Sequence, residues 1–183
     1  MLIQGGHAAA AFLAGITLFL YLALYTPLKK KTKLCTLVGA IPGALPTITG
    51  WAAAEWPLSH RAWILFAILF LWQMPHFYAI SWLWREDYTR AGFRILSVDD
   101  PKGEKVARHI LVYTVLLLLA SMIPVWAGMN GLIYAAGALL LNIFFVVRAV
   151  QAVQNIGKFA RPVFRASILY LSVLFLLMVI DKR

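Results

Sequence analysis

Apolar and polar positions alternate on a long scale in this chain. Six apolar stretches, at 7–25, 36–53, 62–84, 109–127, 131–150 and 164–180, contain almost no charge. Each is close to the roughly 20 residues that carry an α-helix across the hydrocarbon core of a bilayer. The pattern predicts an all-α fold, a polytopic transmembrane bundle of six helices forming one membrane domain over residues 1–183. The polar stretches between them are unequal. Those at 26–35, 85–108 and 148–165 hold fourteen of the seventeen Lys and Arg, while Arg61, Lys182 and Arg183 are the other three. Basic residues are retained on the cytoplasmic side, so this asymmetry predicts that the first set of loops is cytoplasmic, in a multi-pass protein of the cell inner (plasma) membrane, with Met1 outside. Trp51, Trp56, Trp82, Trp84 and Trp126 fall at span ends, the place of an aromatic belt.

Composition sharpens the class. Hydrophobic residues make up 62% of the 183 positions, and the mean hydropathy is +0.80. A soluble domain of this size has no core large enough to hide that surface. The net charge of +10 is confined to short inter-span loops, which excludes a nucleic-acid-binding face. Cys35 is the single cysteine, so neither a disulfide framework nor a thiolate metal cluster is available. No cleavable signal is expected, because the first basic residue is Lys29.

Candidate chemistry concentrates in the first three spans. Trp72-Gln73-Met74-Pro75-His76-Phe77-Tyr78 sets two hydrogen-bonding side chains and a proline inside hydrocarbon. On a helix His76 lies about 60° from Gln73, and Asp87 about 40° from it, so a persisting helix draws one polar stripe to the membrane interface. Such residues mark functional sites, or else His76 is neutral packing glue against a neighbouring helix. In the second span Pro42 and Pro46 are expected to bend or break the helix, and Gly39 and Gly43 form a small-residue face. The segment either lines a substrate cavity or is a kinked packing helix. Tyr21, Tyr25 and Lys29 recur every four residues on one face, followed by Lys30, Lys31 and Lys33. That cluster is either ordinary interfacial charge or a phosphate site built from ammonium groups and a phenol. The stretch 85–94 mixes Glu86 and Asp87 with three arginines, a composition suited to Mg²⁺ and phosphate oxygens. Asp99, Asp100 and Glu104 read as a solvated loop surface. The last two spans, with Asn142 and Tyr170, read as scaffold.

Several of these segments together resemble the haem O synthases, the protoheme IX farnesyltransferases of the UbiA superfamily. The resemblance rests on Tyr25-Thr26-Pro27-Leu28-Lys29-Lys30, the segment 39–51, Leu71-Trp72-Gln73-Met74-Pro75-His76 and Asp87-Tyr88-Thr89-Arg90-Ala91-Gly92, and reaches His109. It implies transfer of the farnesyl group of farnesyl diphosphate to a vinyl group of haem b, with Mg²⁺ as the metal. The lipid bilayer and terminal oxidase assembly factors are its implied partners. Carried over by motif, Asp87 becomes the metal and catalytic carboxylate, and Lys29, Lys30 and Tyr25 the diphosphate contacts. Gln73 and His76, with Tyr88 and Arg90, become substrate-binding residues. His76 and Asp87 are separated by about 16 Å of helix rise, which favours a haem role for His76 over one in ionisation.

The resemblance also has departures. That family has nine transmembrane helices and an earlier acidic motif of the Asn-x-x-x-Asp type, which does not occur here, and Glu86 and Asp87 are adjacent where the family spaces two aspartates. The chain is therefore expected to be the C-terminal two-thirds of a nine-helix enzyme, truncated at its N-terminus. Two other readings stay open. One is a UbiA-type prenyltransferase acting on a quinone or chlorophyll precursor, against which Trp-Gln-Met-Pro-His weighs. The other is a non-catalytic membrane fragment that binds haem or lipid.

Overall fold

A computed structural model describes residues 2–54 and 57–183, with side chains from residue 7 onward. Trp56 lies outside the described residues. The helices are α1 (Leu2–Phe19), a π-helical stretch (Leu20–Tyr25), α2 (Thr26–Leu28), α3 (Cys35–Ala54), α4 (His60–Leu83), α5 (Arg85–Arg90), α6 (Glu104–Trp126), α7 (Leu132–Gln154) and α8 (Ile156–Ile180). Six of these, counting α1 to α2 as one, are long and apolar enough to cross a membrane, which bears out the expected count. Their outward faces are apolar as well, with Leu140, Ile143 and Val179 exposed. Helices apolar all round belong in hydrocarbon.

α4 is the hub, packing on α3, α6 and α8; α7 closes the group against α6 and α8, and α1 leans chiefly on α3. Without a hydrophobic drive between helices in lipid, close packing of small side chains holds them together. Ala79, Ala107, Ala138, Ala149 and Ala160 are fully or almost fully buried and let larger groups, Phe145, Tyr134 and Tyr170, fill the remaining space.

Both ends of the bundle are fixed by contacts between loops. At the base-rich end the Arg94 N–H donates to the Lys29 carbonyl at 2.8 Å, and Lys33 pairs with Asp99 at 3.0 Å. At the other end Asn130 Nδ2 donates to the Met178 carbonyl at 2.8 Å.

Several expectations are corrected. The stretch 148–165 is not a loop: α7 ends at Gln154 and α8 begins at Ile156, with only Asn155 (φ −156°, ψ 92°) between them. Hydropathy follows apolar side chains, whereas these helices continue through the basic residues that flank them. Of the bend or break expected in the second span, the break does not occur: α3 runs continuously through Pro42 and Pro46. Each proline removes one backbone hydrogen bond, but no water is present in hydrocarbon to solvate an opened turn, so the helix persists. The polar stripe does not run straight to Asp87, since α4 stops at Leu83 and Trp84 (φ −113°, ψ 29°) re-aims α5. Trp82 is buried in the core rather than placed in a belt. Asp100 is buried too, its carboxylate accepting the Val106 N–H at 2.9 Å near the start of α6.

The last spans are more than scaffold. Tyr170 Oη donates to Asn142 Oδ1 at 2.8 Å, Asn142 Nδ2 donates to Ser121 Oγ at 2.9 Å, and Tyr134 Oη donates to the Ser121 carbonyl at 2.6 Å. This buried network ties α6, α7 and α8 together. Asn142→Leu is expected to lower stability by about 1 kcal/mol, measured by reversible unfolding in mixed micelles. An unchanged midpoint would show that the network adds nothing net.

Candidate functional site

The polar cavity at the base-rich end is built around an irregular turn. Beyond Phe19 the first span widens into a π-helix, and the Thr26 N–H and hydroxyl both donate to the Tyr21 carbonyl five residues back. Such bulges recur at functional sites because they re-aim side chains within a continuing helix. Tyr21 and Tyr25 meet edge to face at 5.7 Å between ring centroids, and Lys29 Nζ lies 4.2 Å from the Tyr25 ring centroid and 5.8 Å from that of Phe93. The Tyr25 and Phe93 ring faces thus hold a cation at this end of the bundle.

Around this group is a cavity of about 110 Å³, lined by Tyr21, Tyr25, Lys29, Cys35, Thr36, Gly39, Phe77, Ser81, Tyr88, Phe93 and Ile95. Gly39 is required there, because a Cβ at that position would stand 2.5 Å from the Tyr25 ring. Tyr88 reaches the cavity from α5, and burial, assisted by the neighbouring Cys35, pushes its hydroxyl above the usual phenol range. Tyr88 therefore stays protonated and able to donate. One ammonium, several hydroxyls and no carboxylate make the lining complementary to an oxyanion.

Asp87 is not part of this cavity. α5 separates two spaces: Tyr88 faces the first, while Glu86, Asp87 and Arg90 line a second cavity of about 370 Å³ together with Trp82, Trp84, Arg85 and Gly157. Arg90 lies 3.6 Å from Asp87 and 4.0 Å from Glu86, with all three side chains well exposed, so these pairs contribute little stability. Among the described residues no group of three or more His, Cys, Asp or Glu comes together. Mg²⁺ commonly takes one or two carboxylates and completes its shell with water and substrate phosphate. The exposed Asp87 carboxylate fits a one-ligand share of a Mg²⁺–diphosphate unit.

Gln73 and His76 face elsewhere again. Gln73 is buried between α3 and α4, where its Nε2 donates to the Ala40 carbonyl at 3.3 Å and the Leu69 carbonyl at 3.2 Å. His76 faces α8, between Trp72 (4.8 Å) and Phe164 (5.2 Å). Its Nδ1 lies 2.8 Å from Ser167 Oγ, and that hydroxyl donates its only proton to the Phe164 carbonyl at 2.6 Å. His76 and Ser167 thus form one hydrogen-bonded pair across the α4–α8 interface. Lys30 is exposed beside the first cavity and does not line it. The structure therefore brings Tyr25, Lys29 and Tyr88 together, sets Asp87 and Arg90 apart on the far side of α5, and sends Gln73 and His76 to two helix interfaces. The expected single convergence is corrected: the helix break at Trp84 re-aims Asp87, and the packing of α4 between α3 and α8 parts Gln73 from His76.

Sequence reasoning missed Thr36, Ser81, Phe93 and Ser167. Nothing in the sequence pairs Ser167 with a histidine 91 positions earlier. Phe93 follows the Tyr88 turn and was within reach of the motif.

Six candidate membrane spans with a lysine–tyrosine cavity at one end of the bundle define a multi-pass membrane protein. The family model of the UbiA prenyltransferase family matches residues 2–178, and the chain belongs to that family. It is 45% identical over 179 residues to a protoheme IX farnesyltransferase of Solibacter usitatus, covering 97% of this chain and 61% of that protein. It is 42% identical over 180 residues to the protein of that name from Koribacter versatilis, covering 94% and 58%. With the Opitutus terrae protein of the same name identity is 38% over 178 residues, covering 96% and 60%. The chain thus spans about three fifths of the length of these relatives. No solved structure gives a significant match.

Proposed function

We propose that the protein carrying this chain transfers the farnesyl group of farnesyl diphosphate to a vinyl group of haem b, giving haem O. We further propose that residues 1–183 form a single membrane domain contributing the larger part of that enzyme. The observation that carries the proposal is the cavity in which Lys29, Tyr25 and Tyr88 converge at the interface of a UbiA-family bundle. The identity to protoheme IX farnesyltransferases supports the choice of donor and acceptor.

In the reaction, the allylic C–O bond breaks and its electron pair leaves on the diphosphate. The vinyl carbon then attacks the allylic cation, and water adds to the resulting carbocation and loses a proton, leaving a hydroxyl group. The Lys29 ammonium and the Tyr25 and Tyr88 hydroxyls stabilise the charge growing on the leaving oxygens, where fixed donors contribute most. Lys30, exposed at the same edge, attracts the anion from solution. Asp87 and Arg90 line the separate cavity across α5, so their share in the reaction is proposed on the family resemblance alone: Asp87 would hold Mg²⁺, which when bound would neutralise diphosphate charge, and Arg90 would offer its guanidinium fork to a phosphate oxygen. Gln73 fixes α3 against α4, and His76, at the α4–α8 interface, contacts the acceptor. The base-rich end is assigned to the cytoplasmic side of the inner membrane because fourteen of the seventeen cations lie there. Terminal oxidase assembly factors are the partners that receive the product.

The test is pigment extraction from a host that lacks haem O and expresses the protein carrying this chain. Haem O is expected, and its absence with intact membrane insertion would overturn the proposal. Lys29→Gln is expected to raise KM for farnesyl diphosphate about tenfold to a hundredfold, the worth of a hydrogen bond to a charged group. A KM unaffected by that change would remove Lys29 from the diphosphate site.

A further inference from the structure

The end of the bundle opposite the lysine–tyrosine cavity has few charges, yet they are not scattered. Arg61, Lys182 and Arg183, the only Lys and Arg outside the base-rich stretches, all line one cavity of about 660 Å³. Its walls are the ends of α3, α4 and α8 and the turn between α6 and α7, and its lining is mainly apolar, with Trp51, Phe175 and Met178. A volume in this range accepts a molecule of several dozen heavy atoms.

The mouth is held in place. Asn130 Nδ2 donates to the Asp181 carbonyl at 3.2 Å as well as to that of Met178, the Gly131 N–H donates to the Asp181 carbonyl at 3.3 Å, and the Arg183 N–H donates to the Met129 carbonyl at 2.9 Å. These bonds fix the tail backbone, and with it the origin of the Lys182 and Arg183 side chains, at the rim. Asp181 is the one described side-chain carboxylate at this rim: its Oδ2 accepts the Tyr134 N–H at 2.8 Å, and its Oδ1 stands near the Arg183 guanidinium beside Gly131 without forming an ion pair. Among the described residues none of the three cations is ion-paired. Cations are generally sparse at such an end, so three gathered over an apolar slot call for an anion with a hydrocarbon tail.

We propose that this cavity binds one anionic phospholipid from the leaflet at that end, its phosphate on Arg61, Lys182 and Arg183 and an acyl chain along Trp51, Phe175 and Met178. The site is separate from the diphosphate cavity and does not depend on the proposed reaction. The test uses the protein carrying this chain in detergent, offered phosphatidylglycerol and phosphatidylcholine of identical acyl chains, with bound lipid counted by native mass spectrometry. One phosphatidylglycerol is expected to be retained in preference. The combined variant Arg61→Gln, Lys182→Gln, Arg183→Gln is expected to lose that preference by on the order of a hundredfold, each cation contributing about a factor of five.

A matched variant at the other end, Lys102→Gln, Lys105→Gln, Arg108→Gln, is expected to keep it. Should the triple variant misfold by circular dichroism, the tail pair Lys182→Gln, Arg183→Gln supplies the same comparison with a proportionally smaller loss. Equal retention of the two lipids, or a preference that survives removal of the cations, would overturn the proposal. Displacement of the lipid by haem b would also overturn it, by reassigning the cations to substrate carboxylates.

Discussion

Asp87→Ala, introduced into the protein that carries this chain, is expected to cut haem O formation by about 10²–10³-fold, the usual cost of losing one element of charge stabilisation at a leaving group. The expectation follows from the ligand supply. Glu86 lines the same cavity but stands farther from Arg90, at 4.0 Å against 3.6 Å for Asp87, so Asp87 is the carboxylate expected to carry the larger share. Asp87→Glu should recover part of the rate, since it restores a carboxylate on a longer arm, whereas Asp87→Asn should not. Raising Mg²⁺ concentration should partly rescue the Glu variant. Haem O at the unmodified level in the Ala variant, read by pigment chromatography, would remove Asp87 from the reaction. The exposure of Asp87 and its weak pairing with Arg90 make a folding explanation for the loss unnecessary.

The largest stability effect is expected at Gly43→Val. A Cβ at that position would collide with the Gln73 side-chain carbonyl oxygen, and valine adds two further methyl groups at the tightest point between α3 and α4. Overpacking of this kind costs about 1–3 kcal/mol, and here it also threatens the Gln73 hydrogen bond to the Ala40 carbonyl. The measurement is the unfolding midpoint in mixed micelles. Pairing Gly43→Ala with Gln73→Ala separates the causes: if the clash dominates, the double variant is more stable than Gly43→Ala alone. Additive losses would show that the two positions do not meet.

The spans were legible in the sequence because bilayer thickness imposes one length on every crossing helix, and the pattern of apolar residues reports it directly. The ends of helices outside hydrocarbon were not, as α8 shows by starting at Ile156 within a basic stretch. Tyr25 and Lys29 were readable as partners because a short separation along one helix determines their proximity. The position of Asp87 depended on a backbone break at Trp84, which no spacing rule anticipates. Ser167, Ser121 and Asp100 were invisible for a related reason. A hydroxyl or carboxylate becomes informative only once its distant partner is known, and helix packing alone supplies that partner.

The single residue Asn155 joining α7 to α8 limits how the bundle can breathe. Consecutive Cα atoms are about 3.8 Å apart, and the Asn155 side chain further clamps the Lys158 N–H at 3.0 Å. The two helices therefore have no slack at that end and cross the bilayer as a hinge-less clip, unable to part there without melting a turn. Any sideways door for a bulky amphiphile arriving from the lipid has to open along another seam of the bundle.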